Sequence, residues 1–388
     1  MELFKASNQW ANRPSDERFW NLEEMIAATK EYRRKAAVAH VAYSDLRVEA
    51  VDSDLRLMGK QGVSAKLTHW AMGQISQRAG APPSYLRTLP PTLAAQNINH
   101  GLKQRGKDEG DEALALFHRE NDDSRVVRAL TGPGYGRIWN HELGESLLSL
   151  STNAGWRVPP GAPVYGRGER TKLATEADCM NGSFVKPGDT IAPSGVYASN
   201  HDMFVFMLNP ETYIEVNGSP LYRGFFMWNS EVGASSWGIT AFLFNGTCSN
   251  HIVWGAQGVF ELRVRHSKNC DERVFSELEF ELQRYSEDST DDMRGKIASA
   301  QRYKLPGMTK KDVIENLFGV TRQKRINIPL KTLGEAYDIT ERRSDEYGPP
   351  NTMWGMVQGL TQLAQDQKFA GNRVQSDREA GKLLEVAF

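Results

Sequence analysis

Between Leu221 and Cys270, three runs of apolar, β-favouring side chains are separated by turns rich in Asn, Gly and Ser. This succession is typical of an antiparallel β-meander. In the last run, at 260–265, Phe, Leu and Val alternate with Glu, Arg and Arg, so one face is expected to be buried and the other to carry charge. The run at 203–208 is apolar on both faces and predicts a central strand.

A period of about 3.6 residues on both sides of this β-rich part predicts helices. The predicted helices start near Glu23, at Ser64, at Pro83, at Pro91, at Asn140, after Cys270, at Thr309 and near Thr352. The Ser64, Asn140 and Thr309 side chains suit helix N-caps. Two short β-like runs, 113–117 and 125–130, precede the glycine-rich turn at 132–136.

These elements predict an α+β fold, in which an antiparallel β-rich core is flanked by helical N-terminal and C-terminal parts. The charged, glycine-broken segment 103–111 indicates one boundary, and the change to a Glu-, Gln- and Arg-rich composition after Cys270 indicates another. The predicted domains are therefore a helical region over 1–110, a mixed β-rich core over 111–270 and a helical region over 271–388.

Charge and cysteine content narrow the possible functions. The 388-residue chain has a formal net charge of −1, so nucleic-acid binding requires a local basic patch. Three cysteines, an odd number, favour a reducing compartment over a disulfide framework. No apolar run approaches the ~20 residues of a membrane span, and the N-terminus lacks the apolar core of a signal peptide. We therefore expect a cytoplasmic protein that does not enter a membrane.

Polar side chains collect at the ends of the predicted strands. Glu231 and His266 are the candidates for acid–base catalysis, with a hydroxyl group nearby. No nucleophile motif such as Gly-x-Ser-x-Gly accompanies them, and polar groups at strand ends commonly satisfy the backbone of turns. We expect Asn229, Ser230, Glu231 and Asn250 to organise the site.

Two short clips, Cys248–His251 and His266–Cys270, have spacings near those of structural zinc sites. Side chains three apart on a flat strand point to opposite faces, so the first clip converges only if 245–250 is a turn, which its composition allows. The alternative is a buried cysteine with polar histidines at strand ends. No cofactor is expected, and zinc at these four residues is the alternative hypothesis.

Aromatic and basic side chains are interleaved along the β-rich segments. Binding of single-stranded nucleic acid needs exposed rings for the bases, with Arg or Lys nearby for the phosphates. The candidate contacts are Tyr222, Arg223, Trp228, Arg263 and Arg265. Ordinary solvation of a charged sheet face is the competing interpretation. The helices from Ser64 and Pro83 also weakly resemble a helix–turn–helix, for which a helical hairpin is the alternative.

Several spaced elements resemble the phage/plasmid-like family built on domain of unknown function 932. They are Arg128-Ala-Leu, Tyr135, Trp228-Asn-Ser-Glu-Val-Gly233, Cys248-Ser-Asn250 and Arg265-His266, within about residues 60–375. In that family Cys-x-Asn is commonly followed by Gly, whereas His251 stands here, which favours a side-chain role at this position. The resemblance implies a mobile-element protein acting in the bacterial cytoplasm, without a settled activity.

The leading hypothesis is a non-enzymatic protein of phage or plasmid origin that binds single-stranded DNA during recombination or replication of the element. An acid–base or metal-assisted enzyme centred on Glu231 and His266 is the first alternative. The second is a protein that blocks a host defence factor and therefore has a host protein as its partner. An annealing role favours a homo-oligomer.

Overall fold

The fold is α+β, as the hydrophobic pattern predicts. The computed structural model describes residues 14–59, 64–105, 111–121, 124–159, 161–163, 170–179, 185–193, 195–216, 219–245, 252–253, 261–287, 291–365 and 370–387. Its strands are β1 (Arg18–Phe19), β2 (Ala36–Ala42), β3 (Arg47–Val51), β4 (Asp54–Met58), β5 (Ser64–Leu67), β6 (Glu112–Arg119), β7 (Arg125–Thr131), β8 (Ala162–Pro163), β9 (Lys172–Leu173), β10 (Thr190–Ala192), β11 (Val196–Ala198), β12 (Met203–Val216), β13 (Ser219–Asn229), β14 (Trp237–Asn245), β15 (Ile252–Val253) and β16 (Glu261–Val264). Its helices are α1 (Leu22–Arg34), α2 (His69–Arg78), α3 (Pro83–Leu86), α4 (Pro91–Arg105), α5 (Asn140–Ala154), α6 (Cys270–Glu287), α7 (Asp291–Arg302), α8 (Lys310–Gln323), α9 (Leu330–Arg342), α10 (Ser344–Tyr347), α11 (Met353–Gln365) and α12 (Ala370–Val386).

Two large sheets carry the architecture. The seven-stranded sheet has the order β1-β11-β12-β13-β14-β15, and β16 pairs with β14 beside β15. The predicted meander is confirmed, because β13, β14 and β16 pair antiparallel as neighbours. The six-stranded sheet has the order β2-β6-β7-β5-β4-β3, and a small sheet has the order β8-β10-β9.

The six-stranded sheet extends across the predicted boundary at residue 110. Strands β2 to β5 precede this point and β6 and β7 follow it, with Ala36 paired to His118 and Ala42 paired to Glu112. The first 110 residues are therefore not a helical unit. The hydrophobic pattern did not predict strand β2, because β2 consists mostly of alanine, which has a low preference for strands.

Two predicted helix starts also differ from the structure. Ser64 begins strand β5, and helix α2 begins at His69, where the Thr68 hydroxyl accepts a hydrogen bond from the Ala71 N–H at 3.2 Å. Asn140 is the first residue of α5, and the preceding Trp139 makes no side-chain cap. The predicted cap at Thr309 is confirmed, because Thr309 and Asp312 form a reciprocal capping box.

Each large sheet is covered by helices. Helices α1, α5 and α6 pack on one face of the seven-stranded sheet, with Met25, Leu143 and Leu278 against Met207 and Phe225. The six-stranded sheet packs on α2 and α4. The C-terminal helices share a core with residues at the far ends of β13 and β14. Among the described residues, no helix is long and apolar enough to cross a lipid bilayer.

The other face of the seven-stranded sheet carries a ladder of aromatic rings. The rings belong to Tyr197, Phe204, Phe206, Phe226, Trp228 and Phe242. Two glycines make room for them, because a Cβ at Gly238 would lie 2.1 Å from the Trp228 ring and one at Gly224 would lie 2.5 Å from the Phe242 ring. The absence of a side chain at these two glycines therefore allows the aromatic rings of neighbouring strands to pack over them.

We predict that Gly238→Ala lowers the free energy of unfolding by about 1–3 kcal/mol, because the added methyl group overpacks against Trp228. Gly319→Ala is the matched control. Gly319 lies in the exposed part of α8, where a Cβ meets nothing within 4 Å, so alanine should stabilise by up to about 1 kcal/mol. Urea unfolding followed by circular dichroism measures both changes, and equal effects would contradict the packing explanation.

Candidate functional site

The candidate site is built around residues 229–233, which we call the anchor turn. This segment leaves the end of β13 and carries the Asn-Ser-Glu-Val-Gly motif. Asn229, Ser230 and Glu231 are all buried. Buried polar groups require partners, and here those partners come from four other parts of the chain.

Glu231 joins strand β7, helix α5 and the anchor turn. One carboxylate oxygen accepts a hydrogen bond from the Arg128 guanidinium at 2.8 Å, and the other accepts from the Asn140 main-chain N–H at 2.9 Å. The side chains of Arg128 and Glu231 are only 1% and 3% exposed. Glu231 thus caps the N-terminus of α5 and neutralises a buried arginine. Since both oxygens have donors, the carboxylate is held as a structural anion.

Asn229 and Ser230 fix the start of the anchor turn. The Asn229 amide donates to the Ile138 carbonyl at 2.9 Å and to the Asn140 side chain at 2.8 Å. The Ser230 hydroxyl donates to the His201 carbonyl at 2.8 Å. These bonds orient the segment that presents Glu231.

The anchor turn is also bonded to helix α2 and to the loop before α5. Trp70 and Gln74 each donate to the Val232 carbonyl, at 2.9 and 2.8 Å, and the Tyr135 hydroxyl donates to the Ser230 carbonyl at 2.7 Å. The Gln74 side chain also accepts from the Leu130 N–H at 2.8 Å. The six-stranded and seven-stranded sheets therefore meet through this turn.

His266 and Cys270 share one acceptor, the Gly136 carbonyl. The His266 Nδ1 lies 3.0 Å from it, and the Cys270 thiol donates to it at 3.3 Å. A Cβ at Gly136 would lie 1.9 Å from the Ser267 carbonyl oxygen, so only glycine allows this approach. The glycine-rich turn therefore brings the loop before α5 close to the start of α6.

Cys248, Asn250 and His251 lie outside the described residues. Within the part of the chain that the structure describes, no three His, Cys, Asp or Glu side chains are grouped closely enough to hold a metal ion. The hypothesis of zinc at Cys248, His251, His266 and Cys270 stays a prediction of the sequence.

Next to the anchor turn, five side chains form what we call the arginine–aromatic stack. Its members in order are Arg33, Trp139, Arg137, Tyr135 and His266. The Arg33 guanidinium lies 4.2 Å from the Trp139 ring centre, and the Tyr135 and His266 rings stack at 4.8 Å. The Arg137 guanidinium contacts both Trp139 and Tyr135, at 5.8 and 5.3 Å. Cation–π contacts of this kind fix the guanidinium planes.

Arg128 and Arg137 both bond to Glu231, one to its carboxylate and the other to its main-chain carbonyl. Two positive charges therefore meet one negative charge. Arg128 also donates to the Asn200 carbonyl. Three buried nitrogen atoms, Nη1 of Arg128 and Nε and Nη2 of Arg137, find no acceptor among the described residues. The arrangement is thus richer in donors and positive charge than its protein partners satisfy.

Burial shifts the pKa of several members of the stack. It lowers the pKa of Arg137 to about 10, so the guanidinium keeps its charge at neutral pH. It raises the pKa of Tyr135, which stays a neutral hydrogen-bond donor. It lowers the pKa of His266, and nearby Arg137 adds to this effect, although the bond to the Gly136 carbonyl opposes it.

The predicted nucleic-acid contacts lie in different environments. Arg223 is only 1% exposed and donates to the Tyr285 carbonyl at 2.6 Å beneath α6, while Tyr222 is 4% exposed on the opposite face. The expectation that these two side chains are open to a ligand is therefore wrong, because neighbouring elements cover both faces of β13. Trp228 is half-buried and Arg265 is exposed. Arg263 pairs with Gly238 in the sheet, and its side chain lies outside the described residues.

The predicted helix–turn–helix lacks a recognition helix of useful length. Its second helix, α3, has four residues. Arg87, the base-reading candidate that follows it, donates instead to the His69 carbonyl at 3.0 Å. This packing fits the alternative of a short helical hairpin.

Sequence reasoning missed Arg137, Trp139, Asn140, Trp70 and Gln74 as parts of the site. Arg137 and Trp139 follow a glycine-rich turn, and their alternation with Tyr135 was an available signal, since residues two apart in extended chain share a face. Asn140 contributes chiefly through its main-chain N–H, for which side-chain identity gives no signal. Trp70 and Gln74 are four apart on α2 and so share a helix face, but nothing in the sequence says which partner they meet.

The chain belongs to the family described as Domain of unknown function (DUF932), whose family model matches residues 182–385, more than half of its length. The match confirms the predicted domain of unknown function, over 182–385 rather than about 60–375, and the phage or plasmid origin stays a prediction. No curated protein and no solved structure matches the chain. The matched segment contains the anchor turn and His266, whereas Arg128, Tyr135, Arg137 and Asn140 precede it.

We predict that Glu231→Gln lowers the free energy of unfolding by about 3–5 kcal/mol, because it leaves the Arg128 charge buried without its counter-ion. The Glu335→Gln control removes the carboxylate of an exposed pair with Lys331 on α9 and should change stability by less than about 0.5 kcal/mol. Urea unfolding measures both variants. Wild-type stability of Glu231→Gln would show that the carboxylate is free for another role.

We also predict a pH dependence from His266. Because burial holds its pKa below the usual 6.5, the unfolded chain takes up a proton that the folded chain excludes, and stability falls as the pH drops below that value. His266→Asn should reduce this slope by up to about 1.4 kcal/mol per pH unit. The exposed His100 on α4, changed to Asn, serves as the control. Unfolding curves between about pH 5.5 and 7.5 test this, and identical slopes for wild type and His266→Asn would refute it.

Proposed function

We propose that this protein is encoded by a phage or plasmid, acts in the bacterial cytoplasm and binds single-stranded DNA through the arginine–aromatic stack. The supporting observation is the excess of positive charge where Arg128 and Arg137 meet at Glu231, next to the exposed Arg33. A phosphate group of the DNA backbone, held at the surface of the stack beside the exposed Arg33, would supply the missing negative charge.

Accessibility supports a ligand that approaches from the Arg33 side of the stack. Arg33 is exposed at the end of α1, and Arg137, Trp139 and Tyr135 are half-buried behind it. The flexible backbone of single-stranded DNA suits this change in exposure along the stack. One phosphate would contact Arg33 in solvent while the next phosphate approaches the half-buried Arg137. Arg34 belongs to the same helix end, but Glu31 already pairs with it at 2.7 Å.

Among the initial candidates whose side chains the structure describes, Arg265 is exposed and adjoins the stack, because His266 follows it in the chain. A strand that runs from Arg33 along the stack would continue toward Arg265. The near-neutral net charge is consistent with binding confined to such a local patch. The DNA would be held chiefly by its phosphates, because the aromatic rings of the stack are already covered. Arg33 and Arg137 contact Trp139, and Arg137 and His266 contact Tyr135.

The test is fluorescence anisotropy of a labelled oligothymidine at low salt, where phosphate contacts are strongest. We expect Arg137→Gln to raise Kd about tenfold and to reduce the slope of log K against log salt by about 0.7, the effect of one lost phosphate contact with a single strand. The exposed Arg33→Gln should raise Kd by a smaller factor without affecting folding.

Arg273→Gln is the matched control, because Arg273 is exposed on α6 and pairs only locally with Glu277 at 2.6 Å. Thermal melting verifies that each variant is folded. Absence of binding by the wild type at low salt, or equal affinities of the Arg33, Arg137 and Arg273 variants, would refute the proposal.

A further inference from the structure

Strand β2 forms one edge of the six-stranded sheet, and it differs from ordinary sheet edges. Its seven residues, Ala-Ala-Val-Ala-His-Val-Ala, contain no Lys, Pro, Asp or Glu. The middle of the strand is exposed, with Val38 at 43%. Natural proteins usually protect a long apolar edge with charges, proline or a bulge, because unpaired N–H and C=O groups attract another strand.

The direction of the free main-chain groups follows from the two ends of β2. The Lys35 carbonyl accepts from the Arg119 N–H at 3.0 Å, and the Tyr43 N–H donates to the Asp111 carbonyl at 3.1 Å. Main-chain groups alternate in direction along an antiparallel strand, so the odd-numbered residues of β2 face β6. Ala36, Val38, His40 and Ala42 therefore direct their N–H and C=O groups outward, where no described residue bonds them.

The opposite edge of the same sheet is closed at Val48, the second of the five residues of β3. On β3, the Val48 N–H donates to the Asn99 side-chain oxygen at 2.8 Å, and the Asn99 amide donates to the Val48 carbonyl at 2.8 Å. The Asn99 side chain thus occupies the place of a neighbouring strand. Sheet extension from β2 of one copy to β3 of the next is blocked, so growth into an open filament is disfavoured.

We propose that two copies of this chain associate through their β2 strands, paired antiparallel around a two-fold axis at Ala39. In this register Val38 pairs with His40 of the second copy, and Ala36 pairs with Ala42 of the second copy. All four outward-facing residues are then used, with up to about eight main-chain hydrogen bonds. The two Ala39 residues face each other at the close, non-hydrogen-bonded position, where a small side chain fits best.

The side chains of β2 favour a second copy over a charged peptide. They are small and uncharged apart from His40, whose ring lies 3.6 Å from Glu112 of the same chain. Two such edges can approach without like-charge repulsion. Because the interface uses the same strand twice and the β3 edge is closed, it produces a closed dimer. This inference does not depend on the proposed DNA binding.

Disulfide trapping of the full-length chain tests the register. In the proposed dimer, Ala39→Cys places two cysteines at a Cα separation of about 4.5 Å, within the range that a disulfide spans. Ala37→Cys is the matched control, because it is equally exposed in the same strand but lies about 13 Å from its own copy. Both variants keep the three native cysteines. We expect a covalent dimer from Ala39→Cys under a mild oxidant, at least about tenfold more than from Ala37→Cys.

Sedimentation velocity provides an independent readout. We expect the wild type to sediment as a concentration-dependent dimer and Val38→Lys to raise the dimer dissociation constant at least about tenfold. Val51→Lys makes the same change at the exposed end of the opposite edge strand, β3, and should leave the dimer dissociation constant unchanged. A monomeric wild type at about 100 µM, equal cross-linking of the two cysteine variants, or a dimer insensitive to Val38→Lys would each overturn the proposal.

Discussion

A buried carboxylate determines how the parts of this protein fit together. Glu231 lies at the end of a strand of the seven-stranded sheet, Arg128 lies in a strand of the six-stranded sheet, and Asn140 begins helix α5, which packs on the seven-stranded sheet. A charge at this depth is tolerated only when its partners are fixed in place, since desolvation of an ion costs several kcal/mol. The two sheets are therefore constrained to meet at one distance and in one orientation.

The arginine–aromatic stack follows from that constraint. Once Asn140 is bonded to Glu231, the loop before α5 has to pass close to the start of α6, and Gly136 permits the approach. Tyr135 and Arg137 on either side of this glycine then lie against the anchor turn. Their rings and guanidinium groups are oriented by packing, so the excess of donors is a built property of the fold. In the proposed DNA complex, the same rigidity would fix the position of the bound phosphate.

Local patterns predicted much of the fold. The meander follows from alternating apolar residues broken by turn residues, and the cap at Thr309 follows from a local side-chain pairing with Asp312. The prediction that the Asn140 side chain caps helix α5 was wrong, because the Glu231 carboxylate caps this helix instead. This partner of Asn140 lies 91 residues away in the chain, and no local signal reports a bond of that range.

The prediction of an exposed patch on β13 was wrong for a related reason. Tyr222 and Arg223 alternate correctly for a strand, but alternation shows only that two faces differ, not that one is open to solvent. Here both faces are covered, one by α6 and the other by aromatic neighbours. The clustering of polar residues at strand ends pointed to the anchor turn, whereas the basic residues around it come from helix α1, strand β7 and the loop before α5.

The long separation of Glu231 from its donors also affects synthesis. Arg128 is made 103 residues before the carboxylate that neutralises it, which at about 5–20 residues per second leaves the nascent chain waiting for about 5–20 s. During that interval Arg128 lacks its counter-ion and the N-terminus of helix α5 lacks its cap, because both are supplied by Glu231. The ribosome-bound half of this protein is therefore expected to need chaperone protection until the second sheet emerges.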